Sequence, residues 1–218
     1  MRGLFITFEG TEGSGKSTQI ALLAARLREA GTVVHTVREP GGTPIGEEIR
    51  HTLKHSQDNA AMTAEAELLL MNASRAQLVR EVIRPALQAG QTVLCDRFYD
   101  STAAYQGYGR GLDLATVRAI IDFAVGEVRP DLTLLLQIPH ILGEERLRTR
   151  RSAIPLVRDR FEEADAAFFE RVAKGYRAIA EAEPGRVRVL DGSGGVEEVR
   201  AAIWQLVRGM VSGIGAKV

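Results

Sequence analysis

Residues 4–18 read LFITFEGTEGSGKST, an apolar run that leads straight into a glycine-rich loop. From Gly10 to Ser17 the loop matches G-x-x-x-x-G-K-[ST], a pattern that carries meaning only between a strand and a helix. Both neighbours are present. Residues 4–8 form an apolar strand, and residues 17–30 set Ile20, Leu23, Ala24 and Leu27 on one helical face. Gly31 stands where a C-terminal cap belongs. Glycines let the backbone curl so that successive N–H groups point at phosphate oxygens, and the helix N-terminus adds partial positive charge. On this reading Gly10, Thr11, Glu12, Gly13, Ser14, Gly15, Lys16, Ser17 and Thr18 cradle ATP or another nucleoside triphosphate. Lys16 reaches the β- and γ-phosphates, and the Ser17 hydroxyl ligates Mg²⁺.

Working outward, further strands are expected at 32–37, 92–95, 132–138 and 186–190. Several are almost continuous Val, Leu and Ile, as parallel strands covered on both faces require. The intervals are long enough for helical crossovers, so the pattern predicts a doubly wound, five-stranded parallel α/β sheet flanked by helices. Residues 63–89 read as one long helix interrupted by Pro85 and stopped by Gly90; 107–111 and 150–158 read as loops. A chain of 218 residues is enough for one domain, here 1–218.

Composition narrows the function. Lysine plus arginine equals aspartate plus glutamate, so the basic excess of a nucleic-acid binder is missing. No apolar run approaches the length of a membrane span, and the N-terminus leaves no room for a signal peptide. Cys95 is the single cysteine, so no internal disulfide forms. Together these predict a cytoplasmic protein that binds neither nucleic acid nor membrane. The four histidines show no metal-ligand spacing.

The strand at 92–95 ends in Asp96-Arg97, at the sheet edge where open α/β folds bind ligands. Asp96 is placed to act on the Mg²⁺ shell, and Arg97 to contact phosphate; the alternative is a surface ion pair. A regulatory GTPase would carry D-x-x-G here and N-K-x-D further on, and this chain has Asp-Arg-Phe-Tyr. In the long helix, Leu68, Met71, Arg75, Leu78 and Val82 follow 3-4-3-4 spacing, so Arg75 occupies an apolar position. A charge there either faces a cleft that holds an acceptor or snorkels outward. Arg146, Arg148, Arg150, Arg151, Arg158 and Arg160 fall within fifteen residues. They form either a solvated basic face or a closing segment that brings positive charge to a phosphoryl group.

Taken in order, FEGTEGSGKST at 8–18, REPGGT at 38–43, SRAQL at 74–78, DRFYDSTAAYQGYGRG at 96–111, PDLTLLL at 130–136 and DRFEE at 159–163 resemble the thymidylate kinase family. The likeness spans nearly the whole chain. It implies the P-loop NTPase fold, a Mg²⁺-dependent transfer from ATP to dTMP giving dTDP, and a homodimer. It further implies that Glu12 approaches the deoxyribose 3′-hydroxyl, that Arg38, Arg50 and Arg97 surround the dTMP phosphate, and that Arg75 bonds the thymine edge. Ser101, Tyr105 and Gln106 would line the base and sugar pocket, with Glu39 beside them and a cis Glu39–Pro40 bond. The arginine-rich segment resembles the bacterial subclass, with a lid at about 143–160. Lys16, Arg97, Arg146 and Arg150 would then be catalytic, with Glu162 near the substrate. Two features depart from the family. Met71 stands where a phenylalanine usually stacks on thymine, beside Asn72, and residues 152–157 lengthen the lid. The nearest rival is another nucleoside monophosphate kinase on the same scaffold; a hydrolytic switch or a nucleic-acid-binding ATPase fits the motifs less well.

Overall fold

The computed structural model describes residues 2–152, 160, 161 and 164–211, without the side chains of 150–152. Among them, five strands form one parallel sheet: β1 (Phe5–Glu9), β2 (Val34–Arg38), β3 (Thr92–Asp96), β4 (Leu132–Gln137) and β5 (Val187–Asp191). Their order is β2-β3-β1-β4-β5, so β1 lies at the centre and the crossovers run to both sides of it. The expected strands are all present, each with its ends within two residues of the sequence reading. What periodicity cannot supply is the order, which depends on long-range pairing.

Side chains of β1 alternate between the two faces, the period-2 rule of any strand. Leu4, Ile6 and Phe8 enter a core with Ile20, Leu23 and Leu27 of α1 (Lys16–Glu29) and Val199, Ile203 and Val207 of α9 (Val196–Val211). Phe5 points the other way, toward Leu68 and Leu78 of α3 (Ala64–Leu78) and Val117 and Ile121 of α6 (Leu114–Val125). Burying each such side chain contributes about 1.5–3 kcal/mol, so the sheet is stabilised from both faces.

Strand register sets the site. Phe8 pairs with Asp96, Arg38 with Asp96, Glu9 with Leu135 and Gln137 with Asp191. The carboxyl ends of all five strands therefore finish along one edge, with Glu9, Arg38 and Asp96 side by side. Leaving β2, a short turn leads to α2 (Pro44–Lys54). Its N-cap Thr43 accepts a hydrogen bond from the Gly46 N–H, and Pro44 occupies the first turn, where a missing N–H costs nothing.

Two segments differ from expectation. Pro85 does not break the long helix. Instead, α3 passes through a π turn at Val79–Ile83 into α4 (Arg84–Gln88), a widening that carries the helix past the proline ring. Residues 107–109, read as loop, close a second π segment at Ala103–Gly109 that continues α5 (Tyr99–Thr102). Packing overrides the weak helix propensity of glycine there: α8 (Ala166–Ala182) lies against this segment so closely that a Cβ at Gly109 would meet Phe168 at 2.6 Å. Likewise, α7 (His140–Ser152) remains helical through 150–152, and residues 153–159 lie outside the described ones.

Candidate functional site

The loop from Gly10 to Gly15 folds tightly between β1 and α1. Gly10 has φ 132°, and a Cβ on it would stand 2.3 Å from the Leu136 carbonyl oxygen, so only glycine fits. Inside the curl, Lys16 Nζ donates to the carbonyls of Gly10 and Thr11, both at 3.0 Å, and to Ser14 Oγ at 3.3 Å. Burial foremost, and then the charge of Arg97, lower the Lys16 ammonium to about 8. An anionic ligand reverses both effects, because it returns a counter-charge to a desolvated cation.

Around this loop opens a cleft of about 530 Å³, lined by Glu12 to Gln19, Arg38, Glu39, Arg50, Asp96, Arg97 and Arg146. Ser17 Oγ donates to Asp96 Oδ2 at 2.9 Å. Among the described residues, no group of three or more His, Cys, Asp or Glu could hold a metal. The pair fits Mg²⁺, which prefers one or two protein oxygens and otherwise keeps water and substrate phosphate oxygens.

Arg97 follows β3 in a left-handed conformation, φ 69°, unusual for a residue with a Cβ. That turn aims its guanidinium back across the sheet edge. It donates to Glu12 Oε1 at 2.8 Å, Ser101 Oγ at 3.1 Å, Tyr176 OH at 3.2 Å and Tyr105 OH at 3.3 Å. Glu12 is held well below the usual carboxylate range: burial alone would raise it, but Arg97 and Lys16 outweigh burial. Beneath lies Glu9, fully buried, accepting from the Phe98 N–H at 2.7 Å, Ser101 Oγ at 2.5 Å and Tyr176 OH at 2.9 Å. Burial and the nearby Asp100 raise Glu9. Its role is to fix the floor on which Arg97 rests.

A second pocket adjoins the cleft, and Glu12, Glu39 and Arg97 line both. Met71, Arg75, Ser101, Thr102, Tyr105, Gln106 and Phe161 are among its other lining residues. Arg75 lies inside this wall, 2% exposed, and does not snorkel. Four hydrogen bonds and an ion pair hold it. Nε and Nη2 pair with Glu39 Oε2 at 2.8 and 2.6 Å, Nη1 donates to Asn72 Oδ1 and Thr102 Oγ1, and Nη2 also meets the Phe98 carbonyl at 3.2 Å. Glu39 Oε1, by contrast, is buried with no hydrogen-bond partner among the described residues. Burial raises Glu39 to about 7 against the opposing pull of Arg75. The Glu39–Pro40 bond is cis. Arg50 Nη1 and Arg38 Nη1 both donate to the Pro40 carbonyl, at 2.9 and 3.2 Å, which sets two guanidiniums along the rim.

Most of the residues singled out from the sequence thus meet at one edge. Arg146 lines the same cleft and donates to the carbonyls of Gly13, Gly192 and Ser193 at 3.3, 2.9 and 3.3 Å. The side chain of Arg150 and the whole of Glu162 lie outside the described residues. Sequence reasoning missed Glu9, Tyr176 and Glu67. For Glu9 a signal existed, a carboxylate ending an apolar strand just before the glycine loop. Glu67 lies one turn before Met71 and two before Arg75 on the same stripe. Tyr176 gave none, since its partners lie far away in sequence.

The thymidylate kinase family pattern matches residues 8–203. Over 202 residues the chain is 51% identical to a thymidylate kinase of Syntrophotalea carbinolica, covering 92% of this chain and 93% of that one. It is 49% identical to a thymidylate kinase of Deinococcus radiodurans over 208 residues, 94% and 97% of the two chains. In structure it resembles the crystal structure of thymidylate kinase from Ehrlichia chaffeensis, with TM-score 0.75 and 32% identity over 95% of this chain and 99% of that one. With the phosphate loop, the Asp96-Arg97 edge and the adjoining pocket assembled as described, the chain belongs to the thymidylate kinase family.

Proposed function

We propose that this chain transfers the γ-phosphoryl group of Mg·ATP to dTMP, giving dTDP and ADP for dTTP synthesis. The observation that supports it best is the position of Arg97. It lies between the phosphate loop, through Glu12, and the second pocket, through Tyr105 and Ser101. A cation there touches the transferred group while two phosphates stand end to end. Such a transfer calls for positioning and charge stabilisation more than for a base, because the acceptor is already an anion.

Backbone N–H groups of residues 10–15 and Lys16 hold the donor phosphates; Arg38 and Arg50 receive the acceptor phosphate. Ser17 and Asp96 hold Mg²⁺, which when bound neutralises charge on the donor phosphates. Tyr105 is buried beside Arg97 and closes the sugar end of the pocket against a 2′-hydroxyl. Met71 covers the base through its polarizable sulfur. Arg146 steadies the donor side through the 192–193 loop, and Arg150, from the segment at about 143–160, completes the charge arrangement together with Glu162. The chain works as one domain. No helix among the described residues is long and apolar enough to cross a membrane, and a cytoplasmic setting belongs to the same reading. A homodimer is supported by α3 and α6, which pack together and leave Leu69 and Phe123 exposed, the latter 85%.

A coupled ADP-release assay with Mg·ATP tests the proposal, offering dTMP, dUMP, UMP, dCMP, dGMP and AMP separately. The expected result is a clear preference for dTMP, lost in Lys16→Ala. ADP release indifferent to every monophosphate would move belief to a hydrolytic switch.

A further inference from the structure

Resting on the thymidylate reading above, we propose that Glu67 is a specificity-determining positioning residue that fixes which atom of the Gln106 amide faces the base. Glu67, on α3, is fully buried. Its carboxylate accepts from Gln106 Nε2 at 2.8 Å, from Arg110 Nε and Nη2 at 3.2 and 3.0 Å, and from Arg160 Nη1. Arg160 also donates to the Met62 carbonyl at 3.0 Å, which pins it to the turn before α3.

A carboxylate offers acceptors alone, and two guanidiniums face this one. The Gln106 side chain must therefore turn its NH₂ toward Glu67. An amide is planar, so its oxygen points to the other side, and Gln106, 1% exposed, lines the nucleotide pocket beside Arg75 and Tyr105. The neighbouring Arg75 is held in place by four hydrogen bonds within the protein. The Gln106 oxygen is left as an acceptor for the base. Thymine and uracil carry an N–H at ring position 3 and match it; cytosine presents a lone pair there, which repels it. A site built around one polar match rejects the mismatch more strongly than a hydrophobic wall can, because the buried group is left unpaired. Glu67 never touches the substrate. It acts by preventing the amide from rotating to suit the wrong base.

The test compares wild type, Glu67→Asp, Glu67→Gln, Gln106→Leu and the Glu67→Asp/Gln106→Leu pair in the full chain. The readouts are kcat/KM for dTMP and for dCMP, with KM for ATP alongside. Aspartate keeps the charge facing Arg110 and Arg160 but withdraws the acceptor by one methylene, so it carries the test even if the glutamine variant fails to fold. The expected result is a dTMP-over-dCMP ratio lowered about tenfold or more in either Glu67 variant, from the loss of one buried match. KM for ATP should stay unchanged, and the double variant should be no less selective than Gln106→Leu alone. An intact ratio in folded Glu67→Asp, or losses that multiply in the double variant, would overturn the role of Glu67 and leave the kinase reading standing. A wild type that phosphorylates no pyrimidine monophosphate would overturn both.

Discussion

Two arginine–glutamate pairs stand at the same sheet edge and differ in almost everything else. Arg75 and Glu39 are sealed, with side chains 2% and 3% exposed, and four hydrogen bonds fix the guanidinium in the wall. Arg97 and Glu12 are 14% and 22% exposed, and Arg97 looks into the cleft that holds Lys16 and Asp96. Their carboxylates move in opposite directions, Glu39 up to about 7 through burial and Glu12 down through Arg97 and Lys16. A sealed pair belongs to the wall, held by its neighbours. A cleft-facing pair is a working group, able to exchange its partner for a phosphate.

Removing one arginine from each should separate the two kinds most sharply. Arg97→Ala is expected to lower kcat/KM about a thousandfold, about 4 kcal/mol of transition-state stabilisation, as loss of a charge-stabilising donor does. Its unfolding midpoint should fall less than that of Arg75→Ala, because Glu12 can turn to solvent and Glu39 cannot. Arg75→Ala should cost more in stability. Leaving Glu39 buried without its cation costs about 3–5 kcal/mol, seen as a lower urea midpoint at an unchanged slope.

The opposite carboxylate shifts give a subtler contrast. Glu39 holds its proton more tightly folded than unfolded, so between pH 4.5 and about 7 the stability it contributes is lost as pH rises. Glu39→Gln should flatten that part of the stability profile. Glu12 contributes stability above its ordinary value of 4.5 that disappears as pH falls, and Glu12→Gln should flatten only the acid limb. Denaturant unfolding across pH 3–8 for both variants checks the pair, and a shared profile would erase the distinction. The smallest effect is expected at Tyr176→Phe, which removes hydrogen bonds to Glu9 and Arg97 beneath the working pair. A loss of about 1 kcal/mol in stability should accompany a fall of a few fold in kcat.

The same division explains what the chain reveals when read as letters. The phosphate loop is local: Gly10, Gly13, Gly15, Lys16 and Ser17 act through backbone geometry set within eight residues, so spacing alone exposes them. The strands are legible for a similar reason, since burial on both faces needs a continuous apolar run. The acceptor pocket is assembled from distant pieces. Arg75 announces itself as a charge on an apolar stripe, yet its partner Glu39 is thirty-six residues away at the end of another strand. Glu67 shares the stripe and could have been flagged by the same test. Nothing in the pattern at Tyr176 points to Glu9, 167 residues earlier. The helical course of 103–109 is equally hidden, because Gly107 and Gly109 argue against it until α8 is packed upon them.

The most direct test of phosphoryl transfer follows the phosphorus itself. ATP labelled at the γ-phosphate is incubated with the purified chain, Mg²⁺ and dTMP, and the products are separated. A phosphotransferase places the label in dTDP, with little in inorganic phosphate, and Arg97→Ala removes that dTDP. Label accumulating as inorganic phosphate at the same rate with and without dTMP would contradict it.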